Sequence, residues 1–166
     1  MRTELTQTAA RKRLHRYFVG TLRALPANLT LALVHPEIPQ ARFHNGVTLP
    51  CDDSDEDVRA EFFDIAYWII GTTPDNVDGI FESVIRFWIE LGWPIQTDHG
   101  PRPRAAYART SDNFSLSLQQ SIDGYVSLAG STPPFSPGPA EESPLPERIE
   151  HPLAATQPVD DRIAPE

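Results

Sequence analysis

The chain has 166 residues, 40% of them hydrophobic, and a net charge of −9. That length allows one ordinary domain plus a tail, and the acidic balance argues against a nucleic-acid binder, which needs a basic surface for phosphates. A single cysteine, Cys51, excludes an internal disulfide and a thiolate metal cluster.

Taken in order, residues from Thr6 to about Leu25 read as a first helix. Leu14, Phe18, Leu22 and Leu25 share one face, and Pro26 ends it. Arg11, Lys12, Arg13, Arg16 and Arg23 give this helix a basic face, read either as a solvated surface or as a surface for an anionic membrane or acidic partner. No apolar run approaches the roughly 20 residues needed to span a bilayer. No apolar stretch follows the N-terminal basic residues as a secretory signal would require. The sequence as written is therefore expected to be cytoplasmic.

Leu29 to His35 is strand-like, and His35-Pro36 breaks it. Asn45-Gly46 suggests a tight turn. Asp52, Asp53, Asp55, Glu56 and Asp57 then form an acidic loop, a candidate for binding a basic protein partner. Asp53, Asp55 and Asp57 mimic the first ligands of a calcium loop. However, Val58 stands where that loop needs glycine and Asp64 where it prefers glutamate, so no metal is expected. Glu61 to Gly71 is the strongest strand, nearly continuous in apolar residues as a central strand should be.

Thr73 to Gly92 reads as a long core helix. Thr73 is expected as its N-cap and Pro74 as its first residue. Val77, Ile80, Phe81, Val84, Trp88 and Leu91 lie on one face, widened by Ile85, Phe87 and Ile89. Gly92 is expected to take the left-handed cap conformation, with Pro94 beyond it. The helix is expected to lie across the closing strands, on Leu116 and Leu128. Strand, helix and a further strand at about Pro94–Thr97 give a β-α-β layout.

Ala105–Arg109 is another short strand. Phe114–Gln120 and Tyr125–Ser131 form a hairpin around Asp123-Gly124. A two-residue loop would put Leu116 and Leu118 on the opposite face from Val126 and Leu128. A three-residue loop, Ile122-Asp123-Gly124, pairs Leu118 with Leu128 and gives Gly124 the left-handed position. The three-residue loop is preferred. The other face carries Ser115, Ser117, Gln119 and Ser127 and looks like solvent. Residues 136–166 are proline-rich and acidic. They are expected to be disordered, so truncation after Phe135 should leave stability unchanged.

No Gly-rich phosphate loop and no nucleophile elbow is present. The histidines His15, His35, His44, His99 and His151 show no metal-ligand spacing. Asp98-His99, or His44 with Asp52, is the nearest approach to an acid–base pair, and each reads more simply as polar surface. No cofactor, metal or catalytic residue is expected.

The helix ending in Leu25-Pro26, the segment Asn45-Gly46-Val47-Thr48-Leu49-Pro50-Cys51, the core helix before Gly92-Trp93, and the closing hairpin through Pro133-Pro134-Phe135 carry a resemblance. Over about Arg11 to Phe135 the chain resembles the LppA-like lipoproteins and related small exported domains of actinobacteria. That family pairs a cysteine near the Asn-Gly segment with one just before the closing Phe. Cys51 holds the first position and Pro134 the second, so the staple is absent. The lipid-attachment cysteine and its signal are absent too. The resemblance implies a peripheral envelope association, if translation starts upstream of Met1, or a cytoplasmic relative. It supplies no catalytic residues.

The expected fold is α+β in two layers, a mostly antiparallel sheet of about five strands with two helices on one face, in a single domain over residues 1–135. The expected function is a non-enzymatic binding or structural module. The alternatives are a regulatory or immunity-type protein using its acidic loop, and a hydrolase of unrecognised type.

Overall fold

A computed structural model describes residues 5–51, 60–98, 104–121, 123–136 and 145–153. Among these the elements run α1 (Gln7–Arg23), β1 (Thr30–Ala32), β2 (Val47–Pro50), β3 (Glu61–Ile70), α2 (Val77–Glu90), β4 (Ile95–Asp98), β5 (Ala105–Arg109), β6 (Ser115–Gln120), β7 (Val126–Ser131) and β8 (Arg148–Ile149). The fold is α+β, with two helices and an antiparallel sheet. The sheet has eight strands, in the order β4-β5-β6-β7-β3-β1-β8, with β2 also paired to β3. The expectation of about five strands was too low because β2 and β8, which were not read as strands, span only four and two residues. That is too short for alternation to register in a sequence.

β3 is the spine. Ten residues long, it pairs with β7 along one edge and with β2 and then β1 along the other. Its Phe63, Ile65, Tyr67 and Ile69 are buried, as are Leu116, Leu118, Val126 and Leu128 on the closing strands. Successive antiparallel pairings leave β4 parallel to β3 but with three strands between them. The β-α-β layout is therefore a wide crossover from the sheet centre to its far edge. The hairpin has the expected register: Leu118 faces Leu128, and Gln120 faces Val126. Ser121 N–H donates to Tyr125 O at 2.7 Å, closing a three-residue loop in which Gly124 has φ +96°.

α1 starts where expected, with Thr6 Oγ1 accepting from Ala9 N–H at 3.1 Å. Its Leu14 and Phe18 sit over Gly130 in β7. A Cβ at residue 130 would lie 2.7 Å from Leu14 Cδ1 and 3.0 Å from Phe18 Cζ. Close approach of helix to sheet, not backbone conformation, is what requires glycine there. Gly130→Val is expected to cost about 1–3 kcal/mol by overpacking. A urea melt unchanged by that substitution would show that the helix can ride up without loss.

α2 begins at Val77, later than expected. Thr73 and Asn76 instead bond reciprocally in the preceding turn, Thr73 N–H to Asn76 Oδ1 at 2.7 Å and Asn76 N–H to Thr73 Oγ1 at 3.2 Å. Pro74 belongs to that turn and not to the helix. The C-terminus closes as a Schellman motif. Gly92 N–H donates to Ile89 O, Trp93 N–H donates to Trp88 O, and Gly92 has φ +85°. Val77, Ile80, Phe81, Val84 and Trp88 are buried, but Leu91 is 47% exposed and Ile89 57%, so the apolar face is narrower than the sequence suggested. α2 lies chiefly over β4 and β5 and against α1, which takes the middle of the sheet over β3 and β7. The expected seat of α2 on Leu116 and Leu128 is corrected accordingly. Gly130 opens the central position to α1.

Residues 145–153 overturn the reading of everything after residue 135 as a disordered tail. β8 pairs with β1, placing Ile149 opposite Leu31. Leu145, Ile149 and His151 are buried. Tyr67 donates its hydroxyl to Pro146 O at 2.8 Å, Leu33 N–H donates to Glu147 O at 3.0 Å, and His151 Nδ1 accepts from Leu153 N–H at 3.0 Å. That leaves His151 Nε2 to donate to Leu25 O, 2.8 Å away at the end of α1. Burial pushes the Tyr67 hydroxyl pKa well up, keeping it a donor. The acidic, proline-rich composition of the segment hid two apolar anchors and a histidine whose ring nitrogens both have partners.

A polar cluster ties α1 to the β5–β6 turn. Asp112 accepts from Tyr17 and Thr110 at 2.6 Å each and from Arg13 at 3.0 Å. Burial alone would raise this carboxyl, but the bonds from Thr110, Tyr17 and Arg13 outweigh it and hold the pKa below the usual value. A carboxyl held low in the fold stabilises above its unfolded pKa, and that contribution is lost as pH falls through the folded one. Solvent screens much of it, so acid should cost less than about 1 kcal/mol here. Asp112→Asn is expected to flatten this part of a stability–pH curve. An identical slope in the variant would assign the acid sensitivity elsewhere.

Candidate functional site

Both helices cover one face of the sheet, and strand alternation fixes what the other face carries. Three cross-strand rows stand on it. Asp64, Ser131, Ser115 and Arg109 are in register across β3, β7, β6 and β5. The next row is Ala66, Ala129, Ser117, Tyr107 and, on β4, Gln96. The third is Trp68, Ser127, Gln119 and Ala105. Small side chains in the middle and larger ones at the sides make a groove of about 840 Å³, lined among others by Asp64, Gln96, Tyr107, Arg109, Ser115, Ser117 and Ser131. A smaller depression of about 200 Å³ shares Asp64 and Ala129 with it and continues toward Phe43, His44 and Val47.

The walls are held from behind. Phe43 stacks on Trp68 with ring centroids 4.7 Å apart, and Trp68 donates its indole N–H to Ala41 O at 2.7 Å. His35 and Tyr125 pack edge-on against each other at 4.9 Å, beside the same tryptophan. His35, Ala41 and Phe43 are thereby fastened beside Trp68, and Phe43, His44 and Gly46 form a wall of the smaller depression. Tyr107 lines the larger groove and is 43% exposed, although it lies in the middle of a strand. Ser131 donates its hydroxyl to Asp64. Asp64 and Arg109 are three strand spacings apart, roughly 14 Å, too far to neutralise each other directly. The surface can offer hydroxyls, an amide, a phenol ring, one cation and one anion to something lying across the strands.

The acidic candidates Asp52, Asp53, Asp55, Glu56 and Asp57 lie outside the described residues, as does His99. The backbone on either side of that loop is pinned, Cys51 N–H donating to Ala60 O at 3.0 Å. His44 is exposed at the small depression. The basic face of α1 is partly consumed by the fold. Arg13 pairs with Asp112, and Arg11 lies 4.1 Å over the Phe63 ring. Lys12, His15 and Arg16 line a separate groove against Leu145 and Pro146, where burial lowers the His15 pKa.

Sequence reasoning assigned the serine face to solvent and missed the groove. The available signal was Tyr107, an aromatic among alternating small residues on the side away from Ala106 and Ala108. Among the described residues no group of three or more His, Cys, Asp or Glu could hold a metal ion, and no helix is long and apolar enough to cross a membrane. The chain matches no protein-family model, no curated protein and no solved structure.

Proposed function

We propose that the chain is a non-enzymatic binding module that holds its ligand across the open face of the sheet. The observation that carries this is the groove itself: β3 to β7 all contribute side chains to one continuous surface that both helices leave uncovered. A chemistry of hydrolysis finds little support there. Asp64 is the one carboxylate among the described residues lining the groove, and it already accepts from Ser131. Acid–base hydrolysis of glycosides uses a pair of carboxylates, and a serine nucleophile needs a base with an orienting partner. The resemblance to LppA-like domains supports a peripheral envelope association for such a module.

The test is amide-resolved NMR of the full chain titrated with size-fractionated extract of its source cells. The expected result is that Gln96, Tyr107, Ser117 and Ser131 shift together, with the ligand recovered unchanged. Shifts confined to Lys12, His15 and Arg16, or recovery of a chemically altered ligand, would overturn the reading.

A further inference from the structure

We propose that the open face takes a neutral, extended carbohydrate chain, with Tyr107 as the ring on which a sugar stacks. This rests on the binding reading above and adds the chemical class of the ligand.

Charge decides first. The described residues lining the groove include one anion, Asp64, and one cation, Arg109, so their formal charges sum to zero. The chain around them carries −9. A polyanion would meet a repulsive field with a single guanidinium to hold it. A polycation would find one carboxylate already engaged by Ser131. The complement of this surface is an uncharged ligand.

Polarity decides second. Ser115, Ser117 and Gln96 each bring both donors and acceptors. An apolar ligand would strip water from these groups and leave them unpaired. Sugar hydroxyls are themselves donors and acceptors and can exchange for that water group by group. Tyr107 provides what hydroxyl matching cannot. Its ring stands between Gln96 and Ser117 in one row and offers a rigid apolar face with little side-chain entropy to lose. A pyranose presents a C–H face to such a ring while its hydroxyls reach the flanking amide and serine. Size decides third. The surface spans five strands, roughly 19 Å, and about 840 Å³ exceeds what one sugar would fill. A short chain of sugars matches it. A peptide would gain its main-chain bonds at a sheet edge and not on a side-chain face.

The experiment titrates the full chain with neutral hexasaccharides (maltohexaose, cellohexaose, mannohexaose and chitohexaose), followed by NMR and calorimetry. Hexagalacturonate and a neutral hexapeptide serve as contrasts. At least one neutral sugar should shift Gln96, Tyr107 and Ser117 with a Kd below about 1 mM. Tyr107→Ala should weaken that binding about tenfold or more, and Tyr107→Phe should keep most of it. The exposed position of Tyr107 makes both variants expected to fold, which their melts will verify. The proposal falls if no neutral sugar shifts the face at about 10 mM, if only the hexagalacturonate or the peptide does, or if Tyr107→Ala binds as well as the native chain. Should the sugars fail while cell-extract fractions still shift the face, the ligand class is wrong and the binding face stands. Failure of both removes the face as well.

Discussion

A chain ended at Phe135 is expected to lose about 3 kcal/mol or more of stability, a fall in Tm of roughly 10 °C, or not to fold. β8 and its flanks close the edge of the sheet beyond β1. Ile149, Leu31 and Ile69 stand in one cross-strand row beneath the helical layer. Without β8 the outer side of Leu31 meets water and β1 becomes a bare edge. Three polar groups lose their partners as well: the Tyr67 hydroxyl, the Leu33 N–H and the Leu25 carbonyl. Each buried group left unpaired costs about 1–3 kcal/mol. Release of the segment's ordering entropy offsets part of the loss, so the net figure is below the sum. Point variants locate the effect. Ile149→Ala should cost about 2–4 kcal/mol, whereas Leu153→Ala, at a residue 52% exposed, should cost almost nothing. If the truncated chain melts within about 2 °C of the full one, the segment is an ornament on a complete domain.

That segment also shows where sequence reasoning loses its grip. Disorder was inferred from composition, and composition averages over a window. Arg148-Ile149-Glu150 does alternate polar, apolar, polar between Pro146 and Pro152, but three residues are too few for a period to stand out. What recruits them is tertiary: the unpaired edge of β1 and the free carbonyl at Leu25. The hairpin was legible for the opposite reason. Its register follows from two local facts, the two-residue side-chain period and a glycine able to take φ +96°, and no distant contact enters. The two helices were likewise visible as amphipathic periods. Which of them takes the sheet centre was not, because that depends on the absence of a side chain at Gly130 on a third element.

The candidate site was illegible for a related reason. A serine on a strand reads as solvent whether it faces bulk water or the floor of a groove. The difference lies in the neighbouring strands, and Asp64, Ser131, Ser115 and Arg109 come together only after four strands have paired in register. Asp64 was weighed as a calcium-loop position, a reading based on chain neighbours. In the fold its neighbour is Ser131, 67 positions away. The acidic run from Asp52 to Asp57 drew attention because its charge is local in sequence, whereas the groove's chemistry is assembled from five elements that each look ordinary.

Trp88→Ala is expected to cost about 3–5 kcal/mol. Trp88 is fully buried between the two helices and the sheet, and its indole N–H donates to Thr21 Oγ1 at 3.1 Å. The pair is lopsided in a way that can be measured. The indole nitrogen is a donor only, so without Thr21 its proton has nowhere to go. The threonine hydroxyl keeps an alternative, donation to the carbonyl one turn back in α1. Thr21→Val should therefore cost about 1–3 kcal/mol, nearly all of it from the stranded N–H. On that background Trp88→Phe, which deletes the stranded donor, should cost less than it does in the native chain. Equal costs on the two backgrounds would mean that the bond contributes nothing and that volume alone joins the helices. A loss below about 1 kcal/mol for Trp88→Ala itself would mean that α2 is held from its ends, by the Thr73–Asn76 turn and the cap at Gly92, and not by the residue at the middle of its buried face.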